Sequence, residues 1–84
     1  MALDETRAAM VARAVEMLED HHAHVVRVRI MGTGSAPAFA SGVDFLILSA
    51  EQSVPSFLTL WDRLTRPEQG IVRSTVATKL GLPR

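Results

Sequence analysis

Apolar residues recur at three- and four-residue steps in two parts of the chain, and this spacing is typical of one face of an α-helix. The first part predicts a helix over residues 3–20, and its apolar stripe consists of Leu3, Met10, Val11, Ala14, Val15 and Leu18. The second part predicts a helix from Ser53 to about Thr65, with the stripe Val54, Phe57, Leu58, Trp61 and Leu64. Pro55 fits the first turn of this helix, whereas Pro67 disfavours its continuation.

Two further stretches have the pattern of β-strands. Residues 24–31 alternate, with Arg27 and Arg29 on the polar face, as in a half-buried strand. Residues 43–50 predict a strand that is apolar on both faces after Asp44. Leaving Leu46 and Leu48 in water would forgo roughly 1.5–3 kcal/mol for each side chain. Because a small domain covers one sheet face with its own helices, we predict that an identical subunit covers the other.

The last element has signals of both kinds. Thr65 and Glu68 have the spacing of a helix capping box, and Gly81 and Pro83 are typical of a helix end, which permits a helix over residues 66–80. Against this, five of the eight residues from 71 to 78 are β-branched and follow a glycine, which favours a strand. We therefore predict an α+β, ferredoxin-like domain of order α-β-β-α-β with an antiparallel sheet; the alternative order is α-β-β-α-α.

Composition limits the classes of function. The chain of 84 residues is expected to form one domain, residues 1–84, whose marginal size favours oligomerisation. Nine basic and nine acidic residues give no net charge, which argues against non-specific electrostatic binding to nucleic acid or anionic membranes. Residues 75–83 resemble the start of a helix-turn-helix, but no recognition helix follows, so we expect no direct DNA binding. Without a membrane span or leader pattern, we predict a cytoplasmic protein.

Few residues suggest chemistry. His21, His22 and His24 are close in sequence and could bind zinc or copper, but no cysteine exists and no acid stands at a conventional spacing, so we expect no metal and no cofactor. The loop over residues 32–42 has glycines and hydroxyls but lacks the lysine of a P-loop. Because no nucleophile with a base is recognisable, we do not expect an enzyme. Arg27 and Arg29 either bind a carboxylate or phosphate or keep a strand edge soluble.

Residues 41–80 resemble the ligand-binding and oligomerisation domain of the Lrp/AsnC family, the RAM domain. That pattern is a glycine and an aspartate before an apolar strand, a helix, and a glycine-led turn into the last strand. Its counterparts here are Gly42, Asp44, Phe45, Leu46, Ile47, Leu58, Leu64, Gly70, Ile71, Arg73 and Thr75. The resemblance implies that an effector binds near Gly42 and Asp44 at a subunit interface, where Asp44 would accept hydrogen bonds from a ligand ammonium. Alternatively, Asp44 bonds only to backbone amides.

These observations predict a stand-alone module that binds an amino-acid-like effector through Gly42, Asp44, Arg27 and Arg29. It is expected to form a homodimer or a higher ring and to assemble with full-length transcription regulators. One alternative is a small interaction or inhibitor factor, for example from a mobile element, that binds a larger complex. A second is a cofactor-free dimeric α+β-barrel enzyme, which requires His22 or His24 inside a closed cavity.

Overall fold

The described chain consists of four α-helices. A computed structural model describes the backbone of residues 2–31 and 42–83. Side chains are described for residues 6–27 and 42–83. The helices are α1 (Ala2–Met31), α2 (Val43–Ser53), α3 (Pro55–Arg63) and α4 (Arg66–Leu80). Because these ranges contain no strand, the predicted α+β, ferredoxin-like fold, its antiparallel sheet and dimerisation through that sheet are wrong. None of the described helices combines the length and apolarity needed to cross a membrane.

Helix α1 continues well beyond residue 20, where we predicted that it would end. Its buried stripe runs from Ala14 and Leu18 through His21, and Val25 packs against the same core. These four positions are separated by steps of four, three and four residues, which keeps them on one helical face. The predicted strand over residues 24–31 is therefore wrong, because that segment prolongs the helix that precedes it.

Helix α2 replaces the predicted strand over residues 43–50. Val43, Leu46, Ile47 and Ala50 are its buried residues, at positions i, i+3, i+4 and i+7 of one helix. A run that is apolar at almost every position satisfies the strand and the helix patterns equally, and length and context must choose between them. Here the helix buries four side chains in the core and leaves Phe45 and Leu48 outside.

Helix α3 confirms the helix predicted after Ser53. Pro55 occupies its first turn, although the N-cap is Val54 and not Ser53. Phe57 and Trp61 are buried one turn apart, and their rings stack with centroids 5.4 Å apart. The helix ends at Arg63, and Leu64 enters the core just beyond it.

Helix α4 shows that the strand predicted over residues 71–78 is wrong and that this element is the alternative helix. The Thr65 side chain accepts a hydrogen bond from the Glu68 amide, and the Glu68 side chain accepts one from the Thr65 amide. Gly81 ends the helix with a φ of 66°, in the left-handed region that glycine favours. Val72 and Val76 are fully buried, so β-branched residues form the core face of this helix.

Helices α1 and α4 lie side by side and run in the same direction. Arg7 of α1 pairs with Glu68 in the first turn of α4, and Glu19 pairs with Lys79 near the end of α4, with an Oε2 to Nζ distance of 3.5 Å. Between these two ion pairs the chain advances by nearly the same number of residues along each helix. Residues of α1 and α4 that differ by about sixty in number therefore lie at the same level along the pair.

Candidate functional site

The outer side of α2 carries two large apolar side chains. Phe45 and Leu48 lie one turn apart and are 44% and 48% exposed, and Gln52 continues the same line one turn further. We call these three residues the α2 face. Between them, Leu46 and Ile47 point into the core. The helix is thus apolar on two opposite sides, and only one of these is covered by the described chain.

The charges on α2 are all negative. Its sequence contains Asp44 and Glu51 and no basic residue. Arg73 of α4 donates a hydrogen bond from Nε to Oδ1 of Asp44 at 2.9 Å, and the Asp44 side chain is still 66% exposed. Exposed pairs of this kind stabilise a fold by up to about 1 kcal/mol. The pair holds α2 to α4 and leaves a carboxylate beside the α2 face.

Gly42 has a structural reason for being a glycine. Its φ of 103° belongs to a region that side chains avoid, and a Cβ at this position would lie 2.3 Å from the Pro83 carbonyl oxygen. The next residue, Val43, donates its backbone N–H to the same oxygen at 2.9 Å. The Pro83 carbonyl oxygen therefore accepts a hydrogen bond from one of the backbone N–H groups at the start of α2 that have no partner within the helix.

The predicted effector-binding residues do not form one cluster in the described chain. Gly42 and Asp44 lie together at the start of α2, whereas Arg27 is an exposed residue near the end of α1. No hydrogen bond or ion pair links Arg27 to either of them within the described ranges. Arg29 belongs to α1, but its side chain lies outside the described residues. Their role in effector binding stays a prediction, and the sheet interface on which it depended is absent from the described part of the chain.

The histidine cluster lies on α1, and its members have different surroundings. His21 is buried, 8% exposed, and its Nε2 lies 2.9 Å from Ser49 Oγ of α2. Burial lowers the pKa of His21, and the neighbouring His24 and His22 lower it further. An open hollow of about 430 Å³ lies beside it, lined by Arg13, Met17, Asp20, His21, His24, Ser53 and Val54. No three potential metal ligands converge within the described ranges.

His21 and Ser49 stand at the distance of a base and a nucleophile, but the arrangement lacks other parts. A catalytic pair of this type needs a third group that orients the base. Among the described residues, none bonds to the second ring nitrogen of His21. Ser49 does not line the hollow either. The hydrogen bond joins α1 to α2.

A second apolar surface lies between α1 and α4. It is a groove of about 480 Å³, lined by Ala8, Val11, Ala12, Val15, Glu16, Glu19, Ile71, Thr75 and Lys79. We call it the α1–α4 groove. Ile71 lies at the edge of the groove and is 54% exposed. Among the described large apolar side chains, it has the highest exposed fraction. The alanines of α1 leave the space that longer side chains would fill.

Neither surface was identified from the sequence. For α2, the signal was present, because Val43, Leu46, Ile47 and Ala50 have helical spacing and place Phe45 and Leu48 opposite. The groove had no such signal, since it depends on α1 and α4 lying side by side. No protein-family model, curated protein or solved structure matches this chain. The likeness to the RAM domain is therefore neither supported nor refuted by these comparisons.

Proposed function

We propose that this chain is a non-enzymatic protein-interaction module, and that the α2 face binds an amphipathic helix with basic flanking residues on a partner protein. The observation that carries the proposal is the exposure of Phe45 and Leu48 on a helix whose other side is fully packed. Aromatic side chains are enriched at protein interfaces, where their burial contributes much of the binding energy. Because both side chains are already about half covered, burying the rest would contribute roughly half of the about 1.5–3 kcal/mol that full burial of such a side chain provides.

The form of the partner follows from the secondary structure. A partner strand binds by adding to an exposed sheet edge, and the described part of this chain offers no such edge. A helix instead binds by laying its apolar stripe against an apolar helix surface. The α2 face, with side chains at i, i+3 and i+7, has the spacing for that contact.

The charge of the partner follows from Asp44 and Glu51. Both acids belong to α2, which contributes no base of its own. Arg73 of α4 offsets part of the charge of Asp44, so Glu51 would supply most of the attraction for a basic flank and of the repulsion of an acidic one. Because these acids lie at the rim of the α2 face, their effect should weaken as salt is raised. The proposed partner is therefore apolar along one stripe and basic beside it.

The test uses two synthetic amphipathic helices that share one apolar stripe and differ only in lysine or glutamate flanks. Binding is measured by fluorescence anisotropy and located by amide shifts in NMR spectra. We expect the lysine peptide to bind about tenfold more tightly and to shift the amides of α2. Equal affinities, or shifts confined to other helices, would refute the proposal.

Matched variants distinguish specific binding at the α2 face from non-specific hydrophobic binding elsewhere on the chain. The double variant Phe45→Ser with Leu48→Ser should lose about tenfold or more in affinity for the lysine peptide. The control Leu58→Ser removes another exposed apolar side chain, on α3, and should bind as the unaltered chain does. Undiminished binding by the double variant would contradict the proposal.

A further inference from the structure

The α1–α4 groove has two features that fit each other. One is a hollow beside Ala8 and Ala12, and the other is the exposed apolar side chain of Ile71. Both line the same groove, and the Ile71 side chain is left 54% exposed there. A surface with both a projecting side chain and a hollow can pair with its own copy. In a two-fold dimer, the projection of each copy contacts the hollow of the other, so the same contact forms twice.

The ion pairs fix the levels of these features along the helices. Arg7 lies at the level of Glu68, and Glu19 at the level of Lys79, so Ile71 lies at the level of Met10 and Val11. A two-fold axis parallel to the helices would place α1 opposite α4 of the second copy without changing these levels. Ile71 of one copy would then face the hollow between Ala8 and Ala12 of the other.

The charges of the groove agree with this arrangement. Glu16 and Glu19 lie on the α1 side, and Lys79 lies at the same end on the α4 side. Lys79 pairs with Glu19 of its own chain, and in the two-fold pair it would also face Glu16 and Glu19 of the other copy, so opposite charges meet at both sites. The chain has no net charge that would oppose association.

We infer that this protein forms a two-fold homodimer through the α1–α4 groove, with Ile71 of each copy inserted beside Ala8 and Ala12 of the other. The contact is distinct from the α2 face, and the dimer would present two α2 faces on one particle. Two linked faces would bind a partner with two target helices more tightly than either face alone.

Cysteine cross-linking tests the contact directly, because the chain contains no cysteine of its own. Ile71→Cys mixed with Ala12→Cys should give a mixed disulfide under mild oxidation, since the inference brings these positions together. The matched control pair is Phe45→Cys with Ala12→Cys, which should cross-link at least about tenfold more slowly. Equal rates for the two pairs, or a faster control, would overturn the inference.

Light scattering over a concentration series supplies the second test. The unaltered chain should reach the mass of a dimer, and Ile71→Asp should raise the dimer dissociation constant about tenfold or more. Leu48→Asp should leave the dimer unchanged, because Leu48 belongs to the α2 face. A chain that is monomeric at all concentrations, or a dimer that survives Ile71→Asp, would overturn the inference. The proposed function is tested separately on the same variant. If monomeric Ile71→Asp still binds the lysine peptide, a failure of the dimer does not affect the proposed role of the α2 face.

Discussion

Arg7 and Glu68 join the first and the last described helix, α1 and α4, across 61 positions of sequence. Nε of Arg7 donates to Oε2 of Glu68 at 2.8 Å, and the guanidinium also contacts Oε1. The same guanidinium donates to the Arg63 carbonyl oxygen at 3.2 Å, and the same carboxylate accepts from the Thr65 amide. One side chain of α1 thus binds both the end of α3 and the capping box of α4.

This relationship predicts a loss of stability in acid. Hydrogen bonds from Arg7 and then from the Thr65 amide lower the pKa of Glu68 from 4.5 to about 2. Because the folded chain holds the proton less tightly than the unfolded chain, the stabilisation is complete above about pH 4.5. It is lost as the pH falls through about 2. Urea midpoints between pH 6 and pH 2, followed by Trp61 fluorescence, measure this loss.

The variant Glu68→Gln isolates the effect of the carboxylate. It should be less stable than the unaltered chain at pH 6, and the difference should shrink towards pH 2. The matched control is Glu16→Gln, whose exposed carboxylate lies 3.8 Å from Arg13 in the adjacent turn of α1. A difference for Glu68→Gln that is constant with pH would contradict the assignment.

The close approach of Gly42 to Pro83 predicts a strong effect of adding one methyl group. Gly42→Ala must place a Cβ against the Pro83 carbonyl oxygen and adopt an unfavourable φ. We expect the free energy of unfolding to fall by about 2–3 kcal/mol, measured by urea denaturation.

Two other glycines provide controls for that substitution. Gly81→Ala shares a positive φ but has open space around it, so it should lose only about 1 kcal/mol. Gly70→Ala lies within α4, also with open space, and should gain about 0.5–1 kcal/mol. Equal effects at Gly42 and Gly81 would show that the contact with Pro83 contributes nothing.

Leu46 and Leu48 provide a direct test of helix against strand. A strand would place both side chains on one face, so both truncations would have similar effects. In helix α2, Leu46 is fully buried and Leu48 is exposed. We expect Leu46→Ala to cost about 2–5 kcal/mol and Leu48→Ala to change stability by less than about 0.5 kcal/mol. Similar losses for the two variants would refute the helix.

The buried His21 predicts a second pH dependence, at higher pH. Burial, followed by His24 and His22, lowers its pKa below the ordinary 6.5, so the unfolded chain binds the proton more readily. Stability should therefore be complete above about pH 6.5 and decline as the pH falls below it. Urea midpoints between pH 8 and pH 5 measure this decline above about pH 4.5, where the contribution of Glu68 is still complete.

The double variant His21→Leu with Ser49→Ala removes both partners of the hydrogen bond, so neither polar group is left buried alone. We expect its stability to vary less between pH 8 and pH 5 than that of the unaltered chain. In the single variant His24→Gln, the decline should keep its direction and become smaller, because His24 contributes to the lowered pKa. An unchanged slope in the double variant would rule out His21 as its source.

Local patterns in the sequence identified two helices, and their success has a physical basis. Residues 3–20 and α3 are amphipathic, and a proline marks the first turn of α3. In both segments the helical spacing was the only regular pattern. Around α4, Thr65, Glu68 and Gly81 perform the capping roles that support the alternative prediction of a helix. The capped helix forms despite the β-branched residues that follow, so the strand favoured for residues 71–78 is wrong.

The errors arose where intrinsic preference and burial disagree. Ile and Val cost a helix only a few tenths of a kcal/mol each relative to better helix formers. Burying Val72 and Val76 in the core contributes roughly 1.5–3 kcal/mol for each. The same comparison applies to Val43 in α2, which is also fully buried. Tertiary packing therefore outweighs strand propensity at these positions.

The contact between α1 and α4 has a consequence for folding during synthesis on the ribosome, because the two helices are far apart in the sequence. The apolar stripe of α1 leaves the exit tunnel first, but the helix that packs most closely on it is translated last of the four. At about 5–20 residues per second, roughly 3–12 s pass between the synthesis of Arg7 and that of Glu68. During this interval α4 cannot cover the stripe of α1 on which it packs, so chaperones have time to bind that stripe before α4 is made.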